Sequence, residues 1–275
     1  MNQETLLAWY DRNKRPLPWR LEPSPWSILL SEILLQQTQM ERGIEYHERL
    51  LKRFPTLLSM AESSVDDVLL VWQGAGYYSR ARRLHALSIE VVEVHEGVLP
   101  KTYEELLKLP GIGPYTAAAV ASIAFSEPVA CVDGNIRRVM ARQSNQEEPV
   151  TKDVQRFADK HLFIYAPGKW NQAMMELGAL VCKPRNPLCE QCPIAETCQG
   201  RSRPHELPRP KTTKKTIVEY NCIVRIDENG APELQQRPQT GLFAGLWGPR
   251  MEENLQTKDC EYIGKLRHQL SHREM

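Results

Sequence analysis

The sequence predicts a mainly helical fold that ends in a short α+β segment. Three observations predict it. Apolar residues recur at helical spacing through roughly the first 180 positions, four cysteines crowd between 182 and 198, and β-type alternation begins only after a proline-bearing basic stretch.

Helical spacing is clearest over 5–13, 26–37, 42–54, 103–108 and 115–124. Ser24 and Pro25 supply a cap and a first-turn proline ahead of the second of these. Residues 199–215 carry Pro204, Pro208 and Pro210, with six Lys or Arg against one Glu, the composition of a basic linker. Beyond it, 217–226 alternates with β-rich residues, and Asp227-Glu228-Asn229-Gly230 suits a hairpin turn. The expected division is 1–198 with its cysteine loop 182–198, a linker over 199–215, and a second unit over 216–275. That unit is short and closes without a final element, so it reads as the first part of a longer β-containing domain.

A hydrophobic fraction of 41% is ample for a packed core, and 25% charged residues is ordinary for a soluble chain of 275 residues. No basic stretch followed by an apolar run opens the sequence, and no apolar run approaches a membrane span. A soluble, cytoplasmic protein is expected. The net charge of +1 does not announce a nucleic-acid partner. Such a partner must be argued from local clusters, Arg80, Arg82 and Arg83 or Arg137, Arg138 and Arg142, which alone read as solvated helix faces.

Seven cysteines are present, and the crowding of four of them points to metal rather than disulfides in a reducing compartment. Cys131, Cys222 and Cys260 are scattered and read as buried thiols. Six, two and five residues separate Cys182, Cys189, Cys192 and Cys198, loops short enough to fold around one centre. Tetrahedral zinc or an iron–sulfur cube would satisfy four thiolates, and a first gap wider than that of a zinc ribbon favours a [4Fe-4S] cluster. Lys183, Arg185, Arg201 and Arg203 nearby would suit a phosphate-facing loop.

Leu109-Pro110-Gly111-Ile112-Gly113-Pro114-Tyr115 joins two helical stretches. Gly111 and Gly113 allow tight turns with exposed amides, and the helix from Pro114 offers an anion its N-terminus. A helix–hairpin–helix of this kind grips a DNA phosphate without reading sequence, although the same residues would also serve a plain helix–helix turn.

Two carboxylates carry chemistry. Glu32 has Ile28, Leu29 and Leu35 as helical neighbours, so it pairs with a cation such as Arg20 or stays protonated near neutrality as a general acid. Asp133 follows the apolar run 129–132 and suits the cap of a helix near Asn135, a place from which it can also face a pocket. A raised-pKa acid beside an ionised carboxylate is what glycosidic cleavage needs.

Taken together, these stretches resemble the MutY-type adenine DNA glycosylases of the helix-hairpin-helix, endonuclease III-like repair superfamily. The matching motifs are Leu17-Pro18-Trp19-Arg20, the run 31–38 around Glu32, Gly74-Ala75-Gly76-Tyr77-Tyr78-Ser79-Arg80, the glycine hairpin, Val132-Asp133-Gly134-Asn135 and the four cysteines. The resemblance implies a two-lobed glycosylase domain with an iron–sulfur loop, followed by a Nudix-like domain. It implies a monomeric, monofunctional base excision repair enzyme at the nucleoid, removing adenine mispaired with 8-oxoguanine or guanine in double-stranded DNA. Glu32 would protonate adenine and Asp133 would stabilise the cationic sugar, with Asn135 and Tyr115 orienting them. Arg20 would line the adenine pocket, Gln37 and Tyr77 would wedge into the duplex, and the four cysteines would hold the [4Fe-4S] cluster. The run 237–247 resembles the Nudix-like domain without the pyrophosphatase box, and Ser271 and His272 fall where the family contacts 8-oxoguanine.

Two other readings compete. An endonuclease III-like pyrimidine glycosylase and lyase needs a Schiff-base lysine in the hairpin, where Tyr115 stands, and the Ala-Gln pair typical of that relative is replaced by Ser31-Glu32. A non-catalytic, cluster-bearing DNA-binding protein would not need both Glu32 and Asp133.

Overall fold

The computed structural model describes residues 1–209, 216–238, 240–253, 260–267 and 273–274. They fall into two units, Met1–Pro210 and Lys211–Met275. The described part of the first unit holds twelve α-helices: α1 (Gln3–Asn13), α2 (Pro18–Leu21), α3 (Pro25–Leu34), α4 (Met40–Arg53), α5 (Leu57–Ala61), α6 (Val65–Trp72), α7 (Tyr78–Val94), α8 (Tyr103–Leu106), α9 (Pro114–Phe125), α10 (Gly134–Gln143), α11 (Thr151–His161) and α12 (Pro167–Leu180). Many start where a side chain satisfies first-turn amides that have no partner within the helix. Asn2 caps α1, Ser24 caps α3, Thr56 and Ser64 close capping boxes on α5 and α6, and Asp133 caps α10.

Two apolar cores fill this unit. One gathers α3 to α9 around Leu30, Phe54, Trp72 and Leu84. The other joins α1 to α10, α11 and α12 around Leu6, Val139, Trp170 and Leu177. Helix α9 belongs to both, with Ala117, Val120 and Ala121 in the first and Ala118 and Ala119 in the second. The sequence shows helical apolar spacing over 115–124, and burial on opposite faces requires the helix to be apolar nearly all round.

Helix α3 ends earlier than its spacing predicts. Leu35 closes it, and Gln37 enters the left-handed region at φ 61°. Residues 199–209, expected within a linker, pack on the first unit. Leu207 is buried with its carbonyl accepting from Arg142 Nε at 2.9 Å, and Arg203 and Arg209 pair with Glu147 at 2.7 and 2.6 Å.

The second unit is described as six short strands: β1 (Thr216–Ile217), β2 (Asn221–Ile223), β3 (Gln235–Gln236), β4 (Trp247–Gly248), β5 (Arg250–Glu252) and β6 (Arg273–Glu274). They pair as β1–β6 parallel, β2–β5 antiparallel and β3–β4 antiparallel. The turn at 227–230 forms with Gly230 N–H on the Asp227 carbonyl at 3.0 Å, and Ile226 bridges Pro232 beyond it. Cys131 is buried as expected, but Cys222 and Cys260 are exposed. Cys222 lies on the β2–β5 pair, which buries too little to cover it, and Cys260 lies outside the described strands. Among the described residues no helix is long and apolar enough to cross a membrane.

Candidate active site

A cleft of about 410 Å³ is lined by residues of both halves of the first unit. Glu32, Tyr115, Asp133, Asn135 and Arg20 all face it, although they come from α3, α9, α10, its cap and α2.

Glu32 is buried in the wall formed by α3. Desolvation pushes its carboxyl up to about 7, the Tyr115 hydroxyl opposes the rise, and the nearby Asp133 adds to it. Tyr115 Oη donates to Glu32 Oε2 at 2.7 Å. The ion pair with Arg20 that the sequence left open does not form. Arg20 instead donates through Nη2 to Glu176 at 3.1 Å and through Nε to Gln172 at 3.1 Å.

Asp133 sits at the N-terminus of α10 and accepts two short hydrogen bonds. Oδ1 takes the Ile136 N–H at 2.7 Å, and Oδ2 takes Asn135 Nδ2 at 2.7 Å. Burial raises its pKa, and these donors together with the Arg138 charge pull it back. The chain of contacts continues. Asn135 Oδ1 accepts from Arg138 Nη2 at 2.8 Å, and Arg138 Nε donates to the Cys182 carbonyl at 2.8 Å. One helix thus ties the cleft to the cysteine loop.

Helix α12 supplies residues that the sequence reading missed. Glu176 is buried and accepts from Arg15 and Arg20. Burial alone would raise its pKa, yet hydrogen bonds from the two arginines and the Arg20 charge bring it down to about 2. A glutamate beside Met174, Met175 and Leu177 carries the signal that singled out Glu32, so it was available in the sequence.

Gln37 and Tyr77 lie on two turns outside this cleft. Both are non-glycine residues at positive φ, 61° and 48°, and Gln37 is exposed. A non-glycine residue held there costs energy that the surroundings must supply. Gly111, at φ 78°, has no room for a side chain, since a Cβ would sit 2.7 Å from Arg83 Cβ. Gly113 caps α9 with open space around the position a side chain would take. The basic clusters are not simply surface. Arg80 and Arg142 are buried and bind carbonyls, while Lys183 and Arg185 are exposed. Arg201 pairs with Glu190 and Arg203 with Glu147, which reduces their availability to phosphate. Ser271 and His272 lie outside the described residues.

The four loop cysteines line one cavity at the end of α12. Burial pushes the Cys192 thiol up to about 11, and the other three push the same way. Arg142 Nη1 donates to Cys182 Sγ at 3.2 Å, the contact a metal-bound thiolate accepts. No three His, Cys, Asp or Glu side chains among the described residues gather closely enough to hold a single ion. Four thiolates around one cavity are a donor set that fits an iron–sulfur cluster.

Residues 30–162 match the HhH-GPD superfamily base excision DNA repair protein model, and residues 182–198 match the iron–sulfur binding domain of endonuclease III. The chain thus carries a [4Fe-4S]-type iron–sulfur loop. It is 35% identical to "Adenine DNA glycosylase" of Rattus norvegicus over 89% of this chain and 59% of that protein. It is 36% identical to the protein of that name from Schizosaccharomyces pombe, over 89% of this chain and 68% of that one. A solved thermostable thymine-DNA glycosylase superposes with a TM-score of 0.68 at 27% identity, covering 73% of this chain and 94% of that one. The chain spans 56–59% of the length of the mammalian relatives it matches.

Proposed function

The chain belongs to the adenine DNA glycosylase family of HhH-GPD base excision repair proteins, and from that premise we propose that it hydrolyses the N-glycosidic bond of adenine mispaired with 8-oxoguanine or guanine in double-stranded DNA. The observation that carries this reading is the pairing of Glu32 and Asp133 in one cleft with unlike surroundings. Glu32, protonated up to about pH 7, delivers its proton to the departing adenine. Tyr115 holds that carboxyl by its hydroxyl. Asp133, aimed by the Ile136 amide and Asn135, stabilises the cationic sugar until water adds. Arg20, Gln172 and Glu176 form a polar wall to receive the base. No lysine lines the cleft among the described residues, which supports hydrolysis without strand cleavage.

Gln37 and Tyr77 enter the duplex beside the mispair, and the glycine hairpin with the N-terminus of α9 holds a backbone phosphate. Cys182, Cys189, Cys192 and Cys198 hold the [4Fe-4S] cluster, which braces its loop and supplies no bond-breaking step. The chain divides into a glycosylase domain over 1–198 on which 199–209 pack, a connection that runs to 215, and a Nudix-like unit over 216–275. Ser271 and His272 of that unit contact the oxidised guanine. The enzyme acts as a monomer in the cytoplasm, at the nucleoid.

Duplexes holding a single 8-oxoguanine:adenine or guanine:adenine pair test this. Adenine release, with strand breaks only after alkali, is the expected result. Direct cleavage through a borohydride-trappable Schiff base would contradict it, and binding without any product would favour a non-catalytic protein.

A further inference from the structure

We infer that Arg80 is a positioning residue that locks the Gln37 turn and the Tyr77 turn into one two-pronged wedge, so that extrusion of adenine depends on it more than bond cleavage does. The inference rests on the proposed glycosylase reading, in which those two residues enter the duplex.

Arg80 stands in the first turn of α7 with its guanidinium buried between the two turns. Toward the Gln37 turn, Nη1 lies 2.9, 2.8 and 2.7 Å from the carbonyls of Ile33, Leu34 and Gln36, and Nη2 lies 3.2 Å from Thr38 Oγ1. Toward the Tyr77 turn, Nη2 also lies 3.3 and 3.2 Å from the carbonyls of Ala75 and Gly76. These acceptors flank Gln37 on both sides and run up to Tyr77. The guanidinium lies 5.2 Å from the Trp72 ring and 5.5 Å from the Tyr77 ring, so its face steadies the prong while its edge holds both backbones. Trp72 Nε1 adds a bond to the Gly76 carbonyl at 2.9 Å.

Two strained, left-handed residues therefore project from turns that share one buried cation. The carbonyls of Ile33 and Leu34 end α3 and have no partner further along that helix. Any cation could cap them. Only a planar fork reaches both turns at once, because a lysine ammonium is a compact donor on a single stem.

The test uses the full chain and a duplex with 2-aminopurine beside the target adenine, whose emission rises when the stack opens. Arg80→Lys is expected to slow that rise about tenfold, the scale of a small misplacement of working groups. Fluorescence anisotropy is expected to show DNA affinity within about threefold of the unchanged protein, since backbone contacts dominate binding. In a Gln37→Ala, Tyr77→Ala background the same substitution is expected to cost less than about twofold, because coupled sites are not additive. Equal losses in both backgrounds would overturn the proposal, as a residue that merely stabilises the end of α3 acts independently of the prongs. An unchanged rise with slowed adenine release would also overturn it, placing Arg80 on the Glu32 step. Should Arg80→Lys fail to fold, Thr38→Val removes one contact on the Gln37 turn and is expected to show a smaller loss with the same coupling. No rise with the unchanged protein would sink the glycosylase reading itself, and the clamp with it.

Discussion

Glu32 and Asp133 reach one cleft from different halves of the molecule, and their surroundings differ in kind. Glu32 projects from a helix whose every described neighbour in sequence from Trp26 to Leu34 is buried, and a single hydroxyl touches it. Asp133 lies at a helix N-terminus, accepts two short hydrogen bonds and has Arg138 behind it. Desolvation raises both, but only around Asp133 do donors and a cation answer it in number. Glu176 makes the contrast sharper. It too is shut away from solvent, yet two arginines bring it down to about 2. Burial alone does not decide a carboxyl's state; its partners do.

The largest expected effect comes from the donor-rich side. Asp133→Asn keeps the shape and removes the charge facing the sugar, and single-turnover adenine release is expected to fall on the order of a thousandfold, the scale of losing one electrostatic stabiliser. A loss below about tenfold would place the stabilising charge elsewhere.

Next comes Glu176→Gln, which leaves Arg15 and Arg20 without their anion. Breaking such a buried pair is expected to destabilise the fold by about 3 kcal/mol at pH 7, read by chemical denaturation. Glu176 is depressed in the fold, so its contribution is present above about 4.5 and is lost as pH falls toward 2. Glu32 has the opposite sign. The unfolded chain releases this proton near 4.5 and the folded chain only near 7, so stability declines as pH rises across that window. Glu32→Gln is therefore expected to be more thermostable than the parent at pH 8 and to lose that advantage at pH 5, and equal melting at both pH values would refute the shift.

The smallest effects separate the two sides most clearly. Tyr115→Phe removes the one hydrogen bond that lowers Glu32, so the midpoint of the pH–rate curve is expected to move upward while the limiting rate drops about tenfold. Arg138→Met loosens Asn135 and Asp133 and is expected to lower the rate by about as much with the midpoint unmoved. If both variants moved the midpoint alike, the two carboxylates would be titrating as one group.

What the sequence made legible were local exceptions. Glu32 stood in an apolar helix, Asp133 ended an apolar run, and four cysteines crowded one loop. Each signal lay within a few residues. The clefts and clamps that pair distant segments were hidden. Arg15 reaches Glu176 across 161 positions, and Arg80 meets carbonyls 44 to 47 positions away. Arg80 therefore read as one member of a basic surface cluster, when folding buries it. In the C-terminal unit the β-type alternation and the turn at 227–230 were legible but the strand pairing was not, because strands of two or three residues leave almost no period to read.

The division of labour between the two carboxylates is tested most directly by the pH–rate profile of single-turnover adenine release from an 8-oxoguanine:adenine duplex. With Glu32 as the acid, the rate falls about tenfold per pH unit above about 7 and declines on the acid side only as Asp133 takes up a proton, and Glu32→Gln is slow with no slope above 7. A parent profile that stays level from pH 6 to about 9, or a Glu32→Gln variant that keeps the slope, would contradict it.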